Sequence, residues 1–164
     1  MGEDAEVSHP KHVIEELFRR GAEGDATVVD ELVAEDMVNH AAPPARQGRQ
    51  GWKQIVGVIE EDLGADFTVE HHHLVAEGEL VSHHLTIHGR HRASTMPLLA
   101  NVPVTGNDVA WTFMHLWRVV DGQVVEQRAR RVGDGELRPA VLAAHPPPDD
   151  AAQLLGDQLG AVAD

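Results

Sequence analysis

The chain has 164 residues, with 27 acidic against 13 basic side chains and a formal net charge of −14 when histidine is neutral. That is one domain's length, and the charge excludes partners held through phosphate contacts, so neither nucleic acid nor an anionic membrane is expected. Cysteine is absent, which removes disulfide frameworks, thiolate metal sites and cysteine nucleophiles; twelve His are the unusual feature of the composition.

The start MGEDAEVSHP lacks the basic and apolar regions of a signal peptide, and no run approaches the roughly 20 apolar residues of a membrane span. The expected address is cytoplasmic. Ser8 and Pro10 open a first helix in which Val13, Ile14, Leu17 and Phe18 recur at helical spacing, ending near Ala22. Asp25 caps a second helix with Val28, Val29, Leu32 and Val33, and Met37–His40 leads out of it. A loop with Pro43, Pro44 and Gly48 comes next. Trp52, Ile55, Val56, Ile59 and Leu63 make a third amphipathic helix closed by Gly64.

Beyond Gly64 the apolar period changes to two, which predicts strands over Phe67–Ala76, Leu80–Arg92, Asp108–Val120 and Gln123–Val132. Gly78 turns the first hairpin, and Asp121-Gly122 turns the last as a type I′ pair. Met96–Gly106 is a loop long enough to cover a cavity mouth. Residues 139–164 hold a stiff Pro146–Pro148 spacer and a weak terminal helix, so the domain proper is expected to end near Arg138. Helices followed by an antiparallel meander predict an α+β domain, with three N-terminal helices packed on a curved sheet.

With Asp121 and Gly122 central, Val120 pairs with Gln123 and every cross-strand pair sums to about 243. His115 then faces Arg128, and Trp117 faces Glu126. One face would carry Trp111, Phe113, His115, Trp117, Glu126, Arg128 and Arg130, an aromatic pocket with a few convergent polar groups. The reverse face would carry Met114, Leu116 and Val125. The same reasoning on the first hairpin puts His71, His73, His84 and His88 on one face. His71, His73 and His84 could hold a transition metal, and His71-x-His73-x-x-x-Glu77 resembles half of a cupin motif, without its framing glycines or second half. Most strand histidines are polar faces or satisfied neutral side chains, so no metal is expected. His9, His12, His91 and His145 fall in exposed-looking segments and receive no role.

Several segments in order, Asp30–His40, Gly48–Gly51, Val75–Val81, Pro103–Gly106 and Met114–Glu126, resemble the SnoaL-like polyketide cyclases over about Val13–Val132. The resemblance implies the nuclear transport factor 2-like fold, a cone of helices and curved sheet around one pocket. It also implies a cofactor-independent cyclase or isomerase that closes or rearranges a polyketide-type or aromatic intermediate by proton transfer. The acid/base Asp usual near the end of the family's last strand falls here on Ala129-Arg130-Arg131-Val132; Asp134 would serve only in a slipped or bulged strand.

On this reading His115 is the acid/base group with Glu126 orienting it, and His40, at the family's Asn-His position, is a second candidate for proton transfer. Arg128 and Arg130 bind a carboxylate or enolate, and His84, Trp111, Phe113, Trp117 and Trp52 line the small-molecule site. A non-catalytic ligand-binding domain of the same fold is the alternative, followed by a hydrolase or dehydratase and then a His-metal enzyme. An apolar outer sheet face with Met114, Leu116 and Val125 predicts a homodimer.

Overall fold

In the computed structural model, which describes residues 9–96 and 99–132, three helices pack on one face of a curved five-stranded sheet. In chain order these are α1 (Pro10–Ala22), α2 (Thr27–Leu32), β1 (Val33–Asn39), α3 (Gly48–Leu63), β2 (Thr68–Glu77), β3 (Leu80–Arg90), β4 (Asp108–Val120) and β5 (Gln123–Arg131). The sheet order is β1-β5-β4-β3-β2, antiparallel except that β1 runs parallel to β5. Ser8, Asp134 and the whole 139–164 segment lie outside the described residues.

The helices are not all N-terminal to the sheet. The stretch expected to close the second helix and lead out of it is instead β1, with Val33, Ala34, Met37 and Asn39 buried. Helical spacing of Leu32, Val33 and Met37 is overridden because β5 offers an open edge, and a parallel ladder there satisfies backbone groups out to His40 N–H, which donates to Gln127 O at 2.9 Å. Gln47 fixes the strand's exit: its Oε1 accepts from Asn39 N–H at 2.8 Å and its Nε2 donates to Asn39 O at 2.9 Å. Asp25 acts at the start of α2 as expected, its carboxylate accepting from Thr27 N–H at 2.9 Å and Thr27 Oγ1 at 2.6 Å. Arg20 then ties α1 to α2 through Asp25 and Glu31.

The last turn is as expected, with positive φ at both Asp121 (49°) and Gly122 (76°). Two β-bulges shift the register that the turns alone would set. In β5, Val119 pairs with Val124 but Arg118 pairs with Glu126, so Val125 is an extra residue. In β2, His73 pairs with His84 but His71 pairs with Leu85, so His72 is extra. Beyond each bulge the two faces exchange.

The helix-covered face holds two buried clusters. One joins Val13, Ile14, Leu17, Val28, Val33 and Met37 to Val81, Trp117, Val119 and Val124. The other joins Leu63 to Leu85, Ile87, Leu99, Val109 and Trp111. The 91–107 loop is built into the second cluster. Asp62, fully buried, accepts from Thr95 N–H at 2.8 Å, Thr95 Oγ1 at 2.7 Å and Met96 N–H at 2.9 Å. His91 is buried, its ring bonded to Thr105 Oγ1 at 3.1 Å and Ser94 Oγ at 2.9 Å, which corrects its exposed assignment. Replacing Asp62 by Ala strands three donors, at about 1–3 kcal/mol each before relaxation. An Asp62→Ala variant is expected to lose several kcal/mol in urea unfolding, with new proteolytic cleavage between residues 91 and 107.

Candidate functional site

The two bulges decide which predicted site residues meet. Past Val125, β5 presents Gln127, Ala129 and Arg131 to the helix-covered face and turns Glu126, Arg128 and Arg130 to the outer face, where they pair with Arg118, Leu116 and Met114. The expected His115–Arg128 and Trp117–Glu126 pairs are therefore replaced by His115–Ala129 and Trp117–Gln127. A turn motif fixes register only as far as the first irregularity.

On the outer face, Glu126 meets His40 rather than His115. His40 Nε2 donates to Glu126 Oε1 at 2.7 Å, Arg128 donates to the same oxygen at 3.0 Å, and Arg118 Nε donates to Oε2 at 3.1 Å. The His40 hydrogen bond, then Arg128, holds the Glu126 carboxyl below the usual carboxylate range. A shallow concavity of about 180 Å³ adjoins this group, bordered by Leu80, Leu116 and Arg118.

His84 and His73 also lie on the outer face, their Nδ1 atoms 3.4 Å apart, and His88 bonds Glu70 there at 2.9 Å. His71 does not join them. The bulge at His72 turns it inward, where its Nδ1 lies 2.8 Å from His83 Nε2. The trio His71, His73 and His84 is thus split between faces, and among the described residues no group of three or more His or acidic side chains converges as metal ligands would.

The helix-covered face places His115 beside His83, its direct ladder partner. With His71 they form a row of imidazoles from β2 to β4 between the two apolar clusters. Their surroundings are aromatic. Phe18 of α1 stands edge-on to His71 (5.4 Å between centroids), His83 (4.9 Å) and Trp117 (6.1 Å), and Trp117 touches Trp52 (5.3 Å) and His115 (5.1 Å). Trp111 and Trp117, expected to line a pocket, are fully buried core residues. Beside them Trp52, Ile55, Val56 and Ile59 of α3 and Phe113 and His115 of β4 are half-buried, and Ile55 and Val56 belong to neither cluster.

Burial governs the charge states here, since a cation without a partner in an apolar setting is costly. It pushes His115 down to about 4 and, reinforced by His71, His115 and His84, His83 down to about 3. His71 is lowered by burial and then by His72. All three rings are neutral at pH 7. Nδ1 of His115 and Nδ1 of His83 are buried without a hydrogen-bond partner.

Sequence reasoning missed His83, Gln127 and Arg131. His83 was within reach, because alternation from Val81 and Leu85 places it on the apolar face. Its pairing with His115 was not, because the long 91–107 loop sets the β3–β4 register and carries no turn motif. The unfolded chain binds protons at His83 and His115 below about pH 6.5 while the folded chain does not until about pH 4, so stability must fall as the pH is lowered across that interval. Melting temperature is expected to drop steadily from pH 7 to 5, each neutral His contributing up to about 1.4 kcal/mol per pH unit. His83→Gln with His115→Gln should flatten that slope.

The profile of the SnoaL-like polyketide cyclases matches residues 12–131. No curated protein matches the chain. Among solved structures it is similar to IdmH of Streptomyces antibioticus, a candidate polyketide cyclase, at 25% identity over 83% of this chain and 96% of that one, with a TM-score of 0.63. AclR of Streptomyces galilaeus, a candidate hydroxylase, shares the fold at 21% identity over 84% and 97% (TM-score 0.62). A candidate SnoaL-like polyketide cyclase from Jannaschia sp. CCS1 shares it at 22% identity over 85% and 93% (TM-score 0.64). The element order, the curved sheet and the family match agree: the chain belongs to the SnoaL-like polyketide cyclases, on a nuclear transport factor 2-like fold.

Proposed function

We propose that the chain is a cofactor-independent cyclase or isomerase that moves a proton on a polyketide-type or aromatic intermediate, with His115 as the acid/base group. The observation that carries this reading is the His115 ring itself: half-buried, walled by Phe113 and Trp117, held neutral, with Nδ1 free of partners. A neutral imidazole has one nitrogen that accepts and one that donates, so a single ring can take an activated C–H proton and return a proton to an oxyanion. Trp52 and Phe113 are half-buried flat rings on the helix-covered face, and half-buried Arg131 shares that face with Phe113, where a guanidinium would stabilise an enolate. His40 and Glu126 form a separate group on the other side of the sheet and are assigned no part in the chemistry. That IdmH and a Jannaschia homologue are described as candidate cyclases supports the reaction class; AclR shows that the fold also serves other assignments.

A ligand-binding role is the second reading, favoured by the β5 residues facing inward, Gln127, Ala129 and Arg131, none of which is an acid. Deuterium uptake at the activated methylene of ethyl benzoylacetate in D₂O separates the two. Exchange above the buffer rate is expected, falling about 100-fold or more in His115→Gln and unchanged in Glu126→Gln. The rate should be level above about pH 5 and decline below about pH 4 as His115 takes up its proton. Quenching of Trp fluorescence by the probe without exchange establishes the ligand-binding reading instead.

We further propose a homodimer through the outer sheet face, where Val38, Val75, Leu80, Met114 and Leu116 are exposed; Val125, expected there, packs against the first core cluster. Sedimentation velocity should give a dimer at micromolar concentration and a monomer for Met114→Lys with Leu116→Lys.

A further inference from the structure

We propose that His71 and His83 form a proton relay that links His115 to solvent through alternating imidazole tautomers. The inference rests on the reading of His115 as the acid/base group and adds two residues to it. Three observations support it. First, the rings are adjacent and the outer end reaches solvent: His71 on β2 is exposed, His83 on β3 is 1% exposed, and His115 on β4 is half-buried. Second, His71 Nδ1 and His83 Nε2 are 2.8 Å apart with ring planes 5° from parallel, so the N–H of one ring points along the lone pair of the other. Third, the far nitrogen of His83 and the near neighbour it needs are both unsatisfied. Nδ1 of His83 and Nδ1 of His115 are buried without partners on rings that pair directly across the ladder, edge to face at 6.3 Å between centroids.

Imidazole is the one side chain that accepts a proton at one nitrogen and releases another from the opposite one. To protonate a substrate oxyanion, His115 gives up its Nε2 proton. The His83 Nδ1 proton passes to His115 Nδ1, the His71 Nδ1 proton to His83 Nε2, and solvent supplies a proton to His71 Nε2. One proton has entered from water and one has reached the substrate. Every ring ends neutral in its other tautomer. The reverse sequence removes a C–H proton to water. A side-chain rotation or one water spans the gap between His83 and His115. No ring is left ionised at either end, which suits a site where burial opposes imidazolium. The groups that act electrostatically on this pair are His72, His84 and His115, while α1 contributes the uncharged Phe18 ring.

The test uses the full chain labelled with ¹⁵N-histidine and long-range ¹H–¹⁵N spectra between pH 5 and 8.5. Once the exposed His71 takes up a second proton it must donate from Nδ1, which forces His83 into the Nδ1–H form. The nitrogen signals of His83 and His115 are therefore expected to move together with the titration of His71 and to lose that step in His71→Asn. His83 and His115 each fixed in one tautomer, or changing independently of His71, overturns the relay. No substrate is involved, so this result stands apart from the exchange assay, in which full activity of His115→Gln overturns the acid/base reading alone. In that assay His71→Asn should slow exchange at least tenfold and His71→Ala should regain it with added imidazole, whereas loss through misfolding would not be rescued. Undiminished exchange in His71→Asn also overturns the relay.

Discussion

A strand has two faces, and one extra residue exchanges them; the chemistry of this sheet depends on two such residues. Without the extra Val125, Glu126, Arg128 and Arg130 would project among Trp117, His115 and Phe113, and four charged or titratable groups would need partners inside the core. With it, the carboxylate and its guanidinium neighbours sit in water, where such pairs contribute little and cost little. The extra His72 does the converse on β2, taking His71 out of the exposed histidine patch and setting it against His83. The bulges thus send Glu126, Arg128 and Arg130 out and bring the His71 ring in, while Arg131 still faces the helix-covered side.

The resulting belt of imidazoles interrupts what would otherwise be one continuous core. Val81, Trp117 and Val124 lie on one side of it, Leu85, Ile87 and Trp111 on the other. Filling these positions with Val or Leu would join the two clusters and remove the unsatisfied nitrogens of His83 and His115, each of which works against folding. A fold that keeps polar rings at its least favourable positions gives up stability that apolar side chains would supply, as functional sites commonly do.

Much of this architecture could be read from the residues. The period change at Gly64 located the strands to within a residue or two, and Asp121-Gly122 fixed the last hairpin because only a primed turn suits that pair. The order of weak segments from Asp30 to Glu126 pointed to the family that the profile match establishes. What escaped was set by contacts distant in sequence. β1 looks helical until β5 is present to pair with it. A bulge at Val125 leaves no mark in a Val-Val-Glu run, since each residue suits a strand in either orientation. For the same reason the partner of His115 could not be found by counting from the turn, and Glu126 was assigned to the wrong side. Nothing in the sequence marks Asp62 as buried, because the Thr95 and Met96 groups that bond its carboxylate lie more than thirty residues on.

The parallel pairing of β1 with β5 also sets an order in time. Val33 and Asn39 find their ladder partners at Val124 and Gln127, nearly the whole domain later in the chain. While the protein is being synthesised, α1 and α2 can form, and β2, β3 and β4 can join as hairpins, but the strand between the second and third helices has nothing to pair with until β5 has left the ribosome. Met37 and Ala34, buried in the finished fold, stay exposed until then. Closing so long a loop is the slow kind of contact, so it is β5, made long after β1, that completes the first part of the domain.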